Sequence, residues 1–303
     1  MLIREALAQG SADLKFAEIP SPALDSSILL THILEIDRTA LITKGDEKIN
    51  KKACEAFCGL IERRALGECV AYITGKKEFR GLEFEVNKSV LVPRPDTETL
   101  VEAVLEKLTK EFHAEAQRNK GTEAIKVLDL CTGSGAVAIS LKNEAPELEV
   151  HATDISHDAL ETAKRNAKLL LPGKKIHFYL GDLYNALRLS LPQTSGLPGC
   201  ELFSLIISNP PYIPSAQIET LSAEVQNEPR IALDGGESGL EIINRIINDA
   251  QGYLINGGSL LLEADPGQME EIKNLLANKG FKDIQLYKDL SGSQRVISGK
   301  YEN

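Results

Sequence analysis

Apolar residues recur along this chain in two rhythms. From residue 1 to about 70 the spacing is helical. Leu24, Ile28, Leu29 and Ile33 follow a Ser21-Pro22 start signal, and Ala56, Leu60 and Ala65 sit near one face of a stretch from Lys52 to Arg64. A small helical bundle is expected there. Across residues 71–95 the period shortens. Phe79, Leu82, Phe84 and Val86 cluster around Arg80-Gly81, and Val90-Leu91-Val92 follows Asn87, which predicts a connecting β-hairpin. Pro93 and Pro95 stop the strand. Asp96 or Thr97 can then cap a helix whose Leu100, Val104 and Leu108 share a face.

From residue 125 short apolar runs alternate with helical stretches. Strands are expected at 125–130, 148–153, 175–180, 202–208 and 259–264. Helices are expected near 135–145, 157–171 and 240–254. A closing strand pair at 281–287 and 293–300 turns at Ser291-Gly292. Residues 113–123 and 192–199 read as surface loops. Strand–helix alternation of this kind predicts an α/β fold with a mostly parallel, doubly wound, seven-stranded sheet.

The chain has 303 residues, 43% of them hydrophobic, and a formal net charge of -10. That length predicts two domains. The acidic balance disfavours a phosphate backbone as partner. Cys54, Cys58, Cys69, Cys131 and Cys200 fit no disulfide framework. Cys54 and Cys58, four apart on a helix, have no second pair to complete a metal site, so they are expected to be buried thiols in a reducing compartment. The N-terminus carries no signal-peptide stretch, and no apolar run reaches the about 18 residues of a membrane span, so a cytoplasmic protein is expected.

Candidate chemistry gathers at the ends of the predicted strands. Asp129-Leu130-Cys131-Thr132-Gly133-Ser134-Gly135 follows the first, where glycines let the backbone approach a ligand. Asp154 ends the second and can accept both hydroxyls of a ribose, or simply cap the next helix. Asp182 and Leu183 follow the third and can bind the amino group and cover the ring of an adenine. After the fourth comes Ser208-Asn209-Pro210-Pro211-Tyr212. The Asn209 side-chain carbonyl and the Pro210 backbone carbonyl can accept both hydrogens of an NH2 group, and Tyr212 can stack on its plane. Such a clamp suits methyl transfer from S-adenosylmethionine to a planar nitrogen. Its carbonyl oxygens stabilise the positive charge that develops on the attacking atom. No catalytic histidine or cysteine is required. The five histidines, His151 and His157 among them, are scattered and receive no role, and no metal is assigned.

At these residues the chain resembles the protein-(glutamine-N5) methyltransferases of peptide chain release factors, the PrmC/HemK family. The resemblance runs through Tyr72-x-x-Gly75, Glu78-Phe79-x-Gly81-Leu82-x-Phe84-x-Val86 and Val90-Leu91-Val92-Pro93-Arg94-Pro95-Asp96-Thr97-Glu98. It continues through the glycine loop, Asp154-Ile155-Ser156, Ser208 to Pro214, and Glu228-Pro229-Arg230-x-Ala232-Leu233-x-Gly235-Gly236. It implies a class I Rossmann-like methyltransferase domain over 96–303 and a substrate-recognition domain over 1–70. The implied substrate is the glutamine of the Gly-Gly-Gln loop of bacterial release factors 1 and 2, and Arg94 and Thr97 would lie near the cofactor. Two departures stand out. Cys131 replaces the usual glycine and is tolerated there if its φ is negative. Cys69-Val70 replaces the usual Glu-Pro. The rival readings are a ribosomal-protein glutamine methyltransferase, a DNA adenine N6-methyltransferase, a nicotinamide-dependent oxidoreductase and a non-catalytic nucleoside-binding protein.

Overall fold

The computed structural model describes residues 1–112, 124–190 and 202–302. The chain divides into two compact units, one of Met1–Lys76 with Leu221–Asn227 and one of Lys77–Thr220 with Glu228–Asn303. The expected loops at 113–123 and 192–199, and Cys200, lie outside the described residues.

The first unit contains helices α1 (Ile3–Phe16), α2 (Pro22–Leu34), α3 (Arg38–Thr43), α4 (Lys51–Ala65) and α5 (Val70–Thr74) around a core of Leu14, Leu29, Leu30, Phe57 and Ile61. The buried faces of α2 and α4 differ from the apolar periodicity. Leu24 and Ala56 are exposed, whereas Asp25 and Ser26 on α2, and Phe57, Ile61 and Arg64 on α4, are buried. The inner faces also hold an ion pair: Arg64 Nε lies 2.7 Å from an Asp25 carboxylate oxygen, both side chains almost fully covered. A buried charge that is paired and hydrogen-bonded can occupy a core position, and a pattern of apolar residues cannot register it. The cysteines also depart from expectation. Cys54 is half-buried and Cys58 exposed, because the buried line of α4 runs through Phe57 and Ile61. Cys69 is buried and does the work of a helix cap, its sulfur accepting the Tyr72 amide N–H at 3.4 Å.

The second unit begins within a hairpin of β1 (Lys76–Phe79) and β2 (Leu82–Glu85), one residue into β1, and the Val90–Val92 stretch follows it without joining a strand. Neither Asp96 nor Thr97 caps α6 (Glu98–Lys107) with its side chain. A 3-10 turn over Pro95–Thr97 leads into the helix, and the Thr97 hydroxyl is committed elsewhere. Leu100, Val104 and Leu108 are buried as expected. The seven-stranded sheet comprises β3 (Lys126–Leu130), β4 (Glu149–Asp154), β5 (Ile176–Leu180), β6 (Phe203–Ser208), β7 (Leu254–Glu263), β8 (Lys282–Lys288) and β9 (Gln294–Lys300). Its order is β5-β4-β3-β6-β7-β9-β8, parallel except where β9 pairs antiparallel with β7 and β8. Helices α7 (Ala136–Glu144), α8 (His157–Leu170), α9 (Asn185–Ser190) and α11 (Glu241–Ala250) link the parallel strands, with α12 (Met269–Asn278) before β8; α10 (Ala223–Gln226) belongs to the first unit. Chain order reverses between β3 and β6, so the sheet has its switch point there, where open α/β sheets bind ligands beyond the strands' carboxyl ends.

Candidate active site

The glycine loop, Asp154, Asp182 and the Asn-Pro-Pro-Tyr segment leave the carboxyl ends of the parallel strands β3, β4, β5 and β6, and Arg94 and Thr97 come from the turn before α6. The loop after β3 is held by its neighbours. Thr132 N–H donates to the Thr153 carbonyl at 3.0 Å, Gly133 N–H to an Asp154 carboxylate oxygen at 2.8 Å, and the buried Asn166 side chain donates to the Ser134 carbonyl at 2.9 Å. The same Asn166 exchanges two hydrogen bonds with the Glu85 backbone, so one side chain ties the hairpin to the glycine loop. Gly133 has φ +56° and open space where a Cβ would stand. At Gly135, with φ +82°, a Cβ would meet Ile139 at 2.9 Å and Ala163 at 3.2 Å.

Cys131 has φ +60°, not the negative value under which its side chain is readily tolerated. The left-handed region costs an L-residue about 1–2 kcal/mol, and the loop enforces it here. Burial, with Asp154 nearby, pushes the thiol above the usual range, so it stays protonated and uncharged. A direct comparison isolates the strain: Cys131→Gly should be more stable to urea than Cys131→Ala by roughly 0.5–1 kcal/mol, the reverse of the usual order. Equal midpoints, or a more stable alanine variant, would mean that the backbone relaxes.

Asp129, Asp154 and Asp182 form three different environments. Asp129 is buried and accepts the Thr132 hydroxyl at 2.6 Å; burial pushes it up to about 7 against that bond. Asp154 is raised by burial and pulled back by the amides of Ser156, Gly133 and Ile155. It does not cap α8, whose N-cap is Ser156. Asp182 is paired with Arg245 of α11, and the following Leu183 is buried at φ +48°.

The Asn-Pro-Pro-Tyr segment follows β6, and its course depends on glycines far along the chain. Ile213 is laced to Leu233 and Gly235 by backbone bonds of 3.0 and 2.9 Å. A Cβ on Gly235 would lie 2.8 Å from the Tyr212 Cα, and one on Gly239 would lie 2.4 Å from the Tyr212 carbonyl oxygen. These contacts give a physical reason for glycine in the 235–239 stretch. Gln268 adds a 2.9 Å bond to the same carbonyl. The Tyr212 hydroxyl is raised above the ordinary tyrosine range by burial and by Glu263. Asn209 Nδ2 donates to Thr97 Oγ1 at 3.1 Å, and Thr97 Oγ1 donates to Glu263 Oε1 at 3.2 Å. Glu263, fully buried, is pushed up to about 7 by burial. Arg94 is not in the wall of the cavity; its guanidinium pairs with the buried Glu228, which also accepts the Val92 amide at 3.2 Å.

These segments enclose a cavity of about 480 Å³. Its wall includes Cys131, Thr132, Gly133, Ser134, Asp154, Asp182, Leu183, Thr97, Asn209 and Pro211. Gly135, Pro210 and Tyr212 shape the adjoining backbone and are not in that wall. The size suits a drug-sized or nucleoside-sized ligand. Sequence reasoning missed Glu263, Arg245, Asn166 and Gln268, and it met Glu228 only as part of a motif, without its role as partner of Arg94. Glu263 ends an apolar run, Ser-Leu-Leu-Leu, and that burial was its one available signal. The histidines are not all scattered. His151 and His177 stack at 4.7 Å, and with Glu149 their ligand atoms fall within 4.8 Å. Both His151 ring nitrogens are already engaged, by Tyr179 at 3.0 Å and Glu149 at 3.1 Å, which makes a satisfied polar cluster.

Comparison with known proteins agrees with this layout. Residues 5–75 match the PrmC N-terminal domain, and residues 105–289 match the methyltransferase small domain. A release factor glutamine methyltransferase of Deinococcus radiodurans is 36% identical over 300 residues, covering 99% of each chain. One from Escherichia coli K12 is 34% identical, covering 99% of this chain and 97% of its own. Among solved structures, the hMettl16 catalytic domain in complex with the MAT2A 3′UTR hairpin 1 superposes with a TM-score of 0.56 at 14% identity, covering 80% of this chain and 81% of its own. At that identity the likeness speaks to the class I methyltransferase fold alone. No helix among the described residues is long and apolar enough to cross a membrane.

Proposed function

The chain belongs to the release factor glutamine methyltransferase family, and from that premise we propose that it methylates the side-chain amide N5 of the glutamine in the Gly-Gly-Gln motif of bacterial release factors 1 and 2, using S-adenosylmethionine. The observation that carries the reading is the orientation of Asn209. Its NH2 group is tied to Thr97, so Oδ1 is the amide atom left for a ligand in the cavity it lines. An acceptor there suits a substrate that offers NH2.

The cavity fits the cofactor on its own chemistry. Gly133 leaves open space above the loop, and the Asp154 carboxylate, oriented by backbone amides that include Gly133 and Ser156, only accepts and so suits the hydroxyls of a ribose. Asp182 would take the adenine amino group and Leu183 would cover the ring, with Arg245 holding Asp182 in place. S-adenosylmethionine supplies a methyl already activated on a sulfonium. Asn209 Oδ1 and the Pro210 carbonyl would hold the amide hydrogens, fix the plane and stabilise the charge that develops on nitrogen. Tyr212 would stack on that plane. The proton is lost after transfer, so no strong base is needed. Such a substrate places the work in the cytoplasm, and the first unit is assigned to holding the protein partner.

The test offers labelled methyl donor to a release factor, a ribosomal protein and DNA side by side. Label on the Gly-Gly-Gln glutamine alone is the expected result; label on ribosomal protein or DNA would select one of the rivals. In the same series Asp154→Ala should weaken S-adenosylmethionine binding by about 1.5–3 kcal/mol in calorimetry, the weight of bonds to a charged acceptor. Unchanged affinity would remove Asp154 from ribose binding.

A further inference from the structure

We propose that Glu263 is a positioning residue for methyl transfer: acting through Thr97 from behind the cavity wall, it sets which end of the Asn209 amide is offered to the substrate. The inference rests on the reading of the substrate as a side-chain amide.

The argument follows from the donor and acceptor inventory. Glu263 ends β7 beside the end of β6, because Leu262 is in register with Ser208, the residue before Asn209. Its side chain is fully buried and does not line the cavity. As a carboxylate it only accepts. The Thr97 hydroxyl, 3.2 Å away, therefore spends its single proton on Glu263 and must accept from its other neighbour. That neighbour is Asn209 Nδ2 at 3.1 Å, and the Asn209 amide bonds Glu263 as well. With its NH2 so committed, Asn209 has only its oxygen left for the cavity. Protonation of Glu263 removes the constraint. A carboxylic acid can donate to Thr97, the hydroxyl can turn to the Asn209 oxygen, and the NH2 end would then meet the substrate's NH2. Two donors face to face bind nothing. Glu263 thus sets the polarity of the clamp without touching the substrate.

The surroundings place this change in an accessible range. Burial raises Glu263 to about 7, Asp96 on the turn before α6 adds to the rise, and Arg295 on β9 opposes it. Arg295 is itself shared between Asp96 at 3.0 Å and Asp289 at 3.1 Å, and the Tyr212 hydroxyl, raised by its own burial, stays neutral beside Glu263. Glu263 Oε2 accepts no hydrogen bond, so one oxygen of the buried carboxyl is open to take up the proton.

The experiment uses the full chain and the near-isosteric Glu263→Gln. In the parent, kcat should rise with pH through about 7, since the ionised form is the competent one. Glu263→Gln should lose that rise and lower kcat about tenfold at pH 8, the weight of a hydrogen bond to a charged group. Its KM for S-adenosylmethionine and its melting temperature should stay close to the parent's. Thr97→Val should lose the same rise and the same part of kcat, and Thr97→Ser should recover the pH-dependent rise. A second readout needs no substrate. The Asn209 side-chain amide, identified in nitrogen-15 NMR by its loss in Asn209→Ala, should titrate near pH 7 in the parent and stay flat in Glu263→Gln. An amide signal indifferent to pH, or a Glu263→Gln enzyme with the parent's kcat and pH profile, would overturn the proposal. A parent that ignores glutamine peptides while its Asn209 amide titrates as described would overturn the substrate reading and uphold the positioning.

Discussion

Asn209→Ala should slow methyl transfer by about 10²–10³-fold, as expected when one preorganised group is removed from a developing charge. The nitrogen of an amide is nearly neutral in the ground state and gains positive charge as it attacks. An acceptor oxygen that binds its hydrogens gains most in the transition state, so kcat and kcat/KM should fall together. S-adenosylmethionine affinity should stay within a few-fold of the parent's, because the groups assigned to the ribose and the adenine, Asp154 and Asp182, are untouched. Asn209→Asp should not recover activity, although the shape is kept. Aspartate offers no NH2 to Thr97 and places a second carboxyl beside the buried Glu263. One of the two acids must then take a proton, since like charges cannot both be buried at contact. Single-turnover rates at saturating cofactor test the pair. A parent-like rate in Asn209→Ala would remove the clamp from the mechanism.

The strand ends and the site loops were legible because their signals are local. A buried parallel strand such as β6, Phe203–Ser208, is a continuous apolar run, and the loop after it announces itself by two prolines. What was not legible depends on partners distant in sequence. Thr97 reads as a helix cap until β7 brings Glu263 to its hydroxyl. Gly235 and Gly239 show no reason in the sequence to be glycine, and the reason is the Tyr212 backbone that presses on them in the fold. Leu24 and Ala56 were assigned to buried faces because they are apolar, while the inner positions of α2 and α4 hold an ion pair. Cys131 is the reverse case. Its neighbours in sequence suggested a loop with glycine-like freedom, and its own side chain argued for a negative φ; the bonds from Thr132 and Gly133 to β4 settle the loop shape at the expense of that side chain.

The second large effect should come from the first unit. Asp25→Ala should destabilise it by about 3–5 kcal/mol, because breaking one side of a buried pair leaves the other charge uncompensated. Arg64 is 3% exposed, and among the described residues its partners besides Asp25 are the Glu68 carbonyl and Glu224, each at 3.2 Å. Glu224 is 40% exposed and cannot neutralise Arg64 as Asp25 does from inside. Heating should therefore split into two transitions, with the lower one moved down, since a chain of two compact units need not unfold in one step. The consequence for activity separates two roles for these helices. If they hold the protein partner, kcat/KM should fall for an intact release factor and change little for a short peptide carrying the glutamine. The peptide engages only the clamp, whereas a specific protein interface buries on the order of 1,200–2,000 Å². The double variant Asp25→Leu, Arg64→Met removes both charges and keeps the volume, so it should regain stability and activity on the intact factor together. Equal losses on peptide and protein would assign the helices to supporting the catalytic unit. Loss on the intact factor that persists in the restabilised double variant would mean that Asp25 or Arg64 serves recognition directly.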